Sequence, residues 1–249
     1  MLSKSQLSLI RSLHQKKYRV QHQLFLVEGL KICSELIAAD FIIRVLYCTE
    51  AVYPLIRQLT KSAGKNIEIS TVSDNELEKI SLLSTAREVI ALVNYSEPTN
   101  EPIVYPVIIA DDIQDPGNLG TLIRIADWFG FPTLITSVES VEWQNPKVIQ
   151  ASMGSFLRVK TSSMPLTDFF KSNTKTVYGA LLDGKSIYSI HFKADGVLVL
   201  GNEARGINPS TMPYIDQAVT IPRTGAAESL NVSIAGAIIC AEIRRTNIL

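Results

Sequence analysis

The chain has 249 residues, 46% hydrophobic and 19% charged, with 24 Lys and Arg balanced by 24 Asp and Glu. This length can bury one large core or two small ones, and this composition excludes an intrinsically disordered chain. No apolar run reaches the roughly 18 residues that span a bilayer, and the first residues lead into no apolar signal core, so a cytoplasmic protein without a membrane partner is expected.

Taken in chain order, Leu7, Ile10 and Leu13 recur at helical intervals, which predicts a helix over residues 2–18. Its end carries the basic run Lys16-Lys17-Tyr18-Arg19 between His14 and His22, which reads most simply as a solvated helix face. Phe25-Leu26-Val27 is a strand leading to Glu28-Gly29. A helix over 30–39 with Leu30, Cys33 and Ile37 inward, a strand over 42–48, a helix over 52–63 and a strand over 67–72 follow. Ser73-Asp74-Asn75-Glu76 opens another helix with capping residues, and a strand over 89–93 closes the series. Residues 1–95 therefore read as a compact α/β domain. Ser96-Glu97-Pro98-Thr99-Asn100-Glu101-Pro102 is polar with two prolines, and 96–103 is expected as a linker.

From residue 104 to 249 apolar strands and helices alternate more strongly. Strands are expected at 107–110, 133–136, around Val159, and at 177–182, 197–200 and 218–221. Helices are expected at 119–129, 146–153 and from 229 to about 244. Alternation of this kind implies a buried parallel sheet, with ligands at the carboxyl ends of its strands. Cys33, Cys48 and Cys240 offer neither metal-ligand spacing nor a disulfide framework. The balanced charge is mild evidence against a large nucleic-acid surface, although local patches fit within it.

Gly179-Ala180-Leu181-Leu182-Asp183-Gly184-Lys185-Ser186 matches the phosphate-loop spacing. That chemistry needs a flexible loop opening into a helix, and the flanking residues suit a strand end and a turn instead. Three other clusters each follow a strand. The first is Asp111-Asp112-Ile113-Gln114-Asp115-Pro116-Gly117-Asn118-Leu119-Gly120, with Asn118 placed to cap a helix. Arg124 lies among the apolar residues of that helix, where burial would demand an anionic partner, either an internal carboxylate or a phosphate. The second runs from Leu200-Gly201-Asn202-Glu203 to Gly206, and the third from Ile221-Pro222 to Ser229-Leu230-Asn231-Val232-Ser233.

In this order, the three clusters resemble the motifs of the SpoU (TrmH-type) RNA ribose 2′-O-methyltransferases of the SPOUT superfamily. The resemblance covers residues 104–249. The N-terminal module is similar to the ribosomal-protein-like RNA-binding domain of many members, through Phe25-Leu26-Val27-Glu28-Gly29 and Ser84-Thr85-Ala86-Arg87-Glu88-Val89-Ile90-Ala91-Leu92. The second segment has Arg87-Glu88 where the usual pattern is Pro-Gly-like. The resemblance implies an α/β fold whose C-terminal parallel-sheet domain holds a deep trefoil knot, a homodimer through that domain, and an RNA substrate. Ribosomal RNA is expected, with transfer RNA as the runner-up. It further implies S-adenosylmethionine as methyl donor, held by Leu200, Gly201, Asn202, Ile221 and Leu230, and no metal. The catalytic set it implies is Asn118, Arg124, Glu203, Ser229 and Asn231. Arg124 would orient the ribose and stabilise the developing oxyanion, with a base role assisted by a substrate phosphate as the alternative. Asn118 would position Arg124 or the ribose, Glu203 would support the loop, and Ser229 and Asn231 would anchor phosphate or cofactor. A non-catalytic RNA-binding assembly factor is the competing reading, and the intact polar set speaks against it.

Overall fold

The computed structural model describes residues 2–81, 88–95 and 102–248. Most of the expected linker, 96–101, and residues 84–87 of the second N-terminal segment lie outside the described residues. The helix expected over 2–18 is two helices, α1 (Lys4–Ser12) and α2 (Lys16–His22). Ser3 and Gln6 form a capping box on α1. Arg19 explains the break. Its guanidinium donates to the carbonyls of Leu13 at 2.7 Å and His14 at 2.9 Å, and so satisfies acceptors left open at the end of α1. Arg19 is thereby buried, whereas Lys16, Lys17 and His22 stay exposed, so only part of the basic run is a solvated face.

The chain continues through β1 (Leu24–Glu28), α3 (Leu30–Ala38), β2 (Ile43–Cys48), α4 (Tyr53–Ser62), β3 (Glu68–Thr71), α5 (Asp74–Ile80) and β4 (Val89–Asn94). These strands form a four-stranded sheet in the order β1-β4-β2-β3, antiparallel except for the β2/β3 pair. Leu24, Leu26, Tyr47, Leu77, Ile90 and Leu92 lie in the core of this unit.

The later elements are β5 (Val107–Ala110), α6 (Pro116–Trp128), β6 (Thr133–Thr136), α7 (Pro146–Ser152), β7 (Lys160–Ser163), α8 (Leu166–Ser172), β8 (Val177–Ser186), β9 (Val197–Leu200), β10 (Gln217–Thr220) and α9 (Val232–Ile248). The strands form a second sheet, β10-β8-β9-β5-β6-β7, in which every neighbouring pair is parallel. Val107, Ile109, Ile135, Val197 and Val199 pack its core. The chain divides into two compact units, and Gln144–Leu157, which carries α7, belongs to the first with the N-terminal elements. The rest of the chain from β5 onward forms the second. The short helix α8 lacked a clear sequence signal, because Phe169 and Phe170 are both buried and its seven residues show barely two turns of periodicity.

The phosphate-loop match falls inside β8, which runs four residues past its expected end. Its pairing with β10 shifts abruptly: Ala218 lies opposite Gly179, and Val219 opposite Lys185. A 3-10 turn at Ile187–Ser189 follows instead of a helix N-terminus, so the geometry that would cradle phosphates is absent from this segment. No helix among the described residues is long and apolar enough to cross a membrane.

Candidate active site

The three clusters singled out in the sequence follow β5, β9 and β10, and so emerge from the carboxyl end of one parallel sheet. The first turns sharply. Asp112 adopts a left-handed φ of 60°, which Asp tolerates better than most residues. The helix then begins earlier than expected, at Pro116, and its cap is Asp115. The Asp115 carboxylate accepts the backbone N–H of Asn118 at 2.8 Å. Asn118 is therefore not the cap, and its side-chain amide is released for other partners.

Those partners are the other two loops. Asn118 Nδ2 donates to Glu203 Oε1 at 2.5 Å, and Asn118 Oδ1 accepts from Asn231 Nδ2 at 2.9 Å. Asn231 in turn caps α9: its Oδ1 accepts the backbone N–H groups of Ser233 at 2.9 Å and Ile234 at 3.3 Å. The last helix consequently starts at Val232, three residues later than expected. One amide thus joins residues separated by 85 and 113 positions in the chain.

A second set of bonds fixes the β9 loop. Asn202 and Gly206 exchange backbone hydrogen bonds of 2.9 and 2.8 Å, with Gly206 at φ +71°. A Cβ on Gly201 would collide with the Gly206 backbone, so only glycine permits this closure. Asn202 Nδ2 donates to the Asp112 carbonyl at 2.9 Å, and the Arg205 guanidinium pairs with the Asp112 carboxylate at 2.5 Å. Asp111 accepts the Asn208 backbone N–H at 2.9 Å. Burial pushes the Asp111 carboxyl above its ordinary value, against the opposing pull of that N–H and the Thr211 hydroxyl. Asp111, Asp112 and Arg205 were the residues whose work the sequence concealed. Two carboxylates after a strand have no distinctive spacing, and the partners of both, Asn208 for Asp111 and Arg205 for Asp112, lie far along the chain.

The structure does not gather every expected site residue. Arg124 is exposed and makes no hydrogen bond or ion pair among the described residues, so neither burial nor an internal carboxylate partner is found for it there. With Gly117, Thr121 and Trp128 it occupies a stripe at successive helical turns, and Trp128 is 84% exposed. Ser229 is exposed and likewise without a hydrogen bond among the described residues. Leu200 is buried at the end of β9, Gly201, Asn202 and Ile221 are half-buried, and Leu230 is exposed. Helix α9 reaches the strand ends because of Gly236. A Cβ there would sit 2.9 Å from the Leu122 side-chain end and 3.0 Å from that of Leu200, so a larger residue would require these leucines to repack. Among the described residues, no cluster of His, Cys, Asp and Glu could hold a metal.

Comparison with known proteins agrees with this geometry. The SpoU rRNA Methylase family matches residues 105–241, and the MRM3-like substrate binding domain matches residues 4–91. RlmP of Bacillus subtilis, a 23S rRNA guanosine 2′-O-methyltransferase, is 26% identical over 94% of both chains. A TrmH-family protein of Porphyromonas gingivalis is 35% identical, covers 98% of this chain and 99% of its own, and superposes with a TM-score of 0.88. An rRNA methyltransferase of Sinorhizobium meliloti, solved with S-adenosylmethionine bound, is 25% identical across 100% of this chain and 98% of its own, again at a TM-score of 0.88.

Proposed function

Since the chain belongs to the SpoU rRNA Methylase family, we propose that it transfers a methyl group from S-adenosylmethionine to a ribose 2′-hydroxyl of ribosomal RNA. The observation that carries this reading is the Asn118 bridge, which draws three loops together where a parallel sheet binds its ligands. The cofactor fits the residues present. Gly201 lets the Gly206–Ile207 backbone close directly over the end of β9, and the loop over 221–231 contributes main chain outside any ladder. Leu200, Gly201, Asn202, Ile221 and Leu230 would hold the cofactor largely through main-chain donors and acceptors.

Bound S-adenosylmethionine supplies a sulfonium methyl for in-line attack by the 2′-hydroxyl. The hydroxyl is a weak acid whose proton must leave to solvent or to a substrate phosphate as the ether forms, so the protein must stabilise the negative charge that develops on oxygen. Arg124 is the cation assigned to that work. Its guanidinium has no partner among the described residues, and an arginine side chain offers donors but no acceptor, which suits an orienting and oxyanion-stabilising role better than that of a base. Asn118, Glu203 and Asn231 hold the three loops in register, and Ser229, without a hydrogen bond among the described residues, offers its hydroxyl to phosphate or cofactor.

The same reading takes residues 1–95 as the RNA-binding domain, 96–103 as the linker and 104–249 as the methyltransferase domain with its trefoil knot. It takes the working form as a homodimer through that second domain, supported by the exposed Trp128 on the Arg124 face of α6. It places the protein in the cytoplasm with its RNA. The test is to map ribose methylation in total RNA from cells with and without the protein, and then to repeat the transfer with purified components. One site should lose its methyl group, and no transfer to any ribosomal RNA would overturn the function. Arg124→Ala should lower transfer by about 10²–10³-fold while calorimetry reads unchanged cofactor affinity. An active Arg124→Ala would remove its assigned role.

A further inference from the structure

The N-terminal unit carries a groove of about 540 Å³ between α4 and β3, the edge strand of its sheet. Tyr53, Arg57 and Lys61 are spaced four residues apart along α4 and form one wall as a single stripe. Ile67 and Ile69, alternate residues on and just before β3, line it from the strand side, and Lys65 belongs to the same lining. The lining holds three cations and no carboxylate, in a chain whose formal charges cancel. Glu68, between the two isoleucines, points to the opposite face of the strand by simple alternation.

The cations differ in what they are already doing. The Lys65 ammonium donates to the Ala39 carbonyl and is tied to the fold. Arg57 and Lys61 are exposed and make no hydrogen bond or ion pair among the described residues. Two cations without partners among the described residues therefore stand beside a half-buried tyrosine in the lining of one groove. A positively charged groove with an aromatic platform matches what a single-stranded nucleic acid requires: cations for its backbone and a flat ring for a base.

We propose that the α4–β3 groove binds a single-stranded segment of the substrate RNA, with phosphates on Arg57 and Lys61 and one base stacked on Tyr53. This inference rests on the reading of the protein as a ribosomal RNA methyltransferase and adds where the N-terminal unit grips its substrate. The occupant is an RNA strand because the groove combines uniform positive charge with a stacking surface. A protein strand added to the edge of β3 would instead use the backbone of β3 and be indifferent to Arg57 and Lys61.

The experiment compares the full chain with an Arg57→Ala/Lys61→Ala double variant, using unmodified 23S ribosomal RNA transcribed in vitro, filter binding across a salt series and a parallel methyl-transfer assay. Losing two phosphate contacts should weaken RNA binding and reduce the slope of log affinity against log salt by about 1.4, with S-adenosylmethionine affinity and melting temperature unchanged. Tyr53→Ala should weaken RNA binding about fivefold or more, and Tyr53→Phe should restore it because the ring remains. A double variant with wild-type affinity and salt slope would overturn the groove assignment while leaving the methyltransferase reading intact. Wild-type protein that binds RNA through this groove but transfers no methyl group would overturn the activity and leave the groove in place.

Discussion

Asn231 performs two tasks with two different atoms. Its Oδ1 caps α9, and its Nδ2 reaches Asn118. The tasks separate by substitution. Asn231→Ala should cost about 1 kcal/mol of stability, as loss of a helix cap does, and should also lower transfer. Asn231→Asp keeps the capping oxygen but has no amide to donate, so its stability should match wild type while methyl transfer falls about tenfold, the worth of one hydrogen bond in the assembled site. Denaturant midpoints and transfer rates on the same preparations check both. If Asn231→Asp proves fully active, the bridge to Asn118 is only structural. Arg124 illustrates the opposite situation. It has no partner among the described residues, so the contribution assigned to it requires substrate or a second chain.

Helix ends reveal how local chemistry is reused at the level of elements. The Ser73–Glu76 capping box on α5 has an additional member, because Glu76 Oε1 also accepts the Leu2 backbone N–H at 2.7 Å and ties the N-terminus to α5. The backbone N–H groups of Ser73 and Leu2, followed by the Ser73 hydroxyl, hold the Glu76 carboxyl down at about 2, against an ordinary 4.5. A carboxyl depressed in the folded state adds stability above pH 4.5, and that stability is lost as pH falls from there toward 2. Glu76→Gln can still form the box but cannot titrate. Urea titrations over that window should therefore give a shallower acid loss for the variant than for wild type, and identical slopes would refute the linkage. Packing at the C-terminal helix follows a different rule. There Gly236 sets the approach of α9 to Leu122 and Leu200, and no capping signal marks it.

For the whole molecule, the exposed stripe of α6 is the feature that a single chain leaves unexplained. A tryptophan 84% exposed on the same face as Arg124 is costly in water and well suited to an interface. If two copies meet there, Arg124 lies at the junction and the site depends on assembly. Light scattering should read two chains for the wild type and one for Trp128→Arg, with transfer lost in the variant. A wild-type monomer that methylates RNA would exclude this arrangement.

Most element types were legible in the sequence because apolar periodicity and capping residues are local properties. The strands at 107–110, 133–136 and 197–200 are examples, and the order of the three loop motifs identified the family. Misread ends have a common cause. Asn118 looks like a cap until Asp115 takes that place, and α1 and α2 look continuous until Arg19 folds back onto the carbonyls between them. Arg124 has apolar neighbours in sequence, and its exposure is decided by the helix face it shares with Gly117, Thr121 and Trp128, which the core leaves uncovered. Local chemistry by itself determined the α/β classes and the three strand-end loops, with their SpoU-type resemblance. Only the tertiary structure decided that Asn118 joins Glu203 to Asn231, that Asp112 clasps Arg205, and that Arg57 and Lys61 share a groove with Tyr53. The physical reason is range: periodicity and capping act over a few residues, whereas a hydrogen bond between loops depends on where an entire sheet brings their ends.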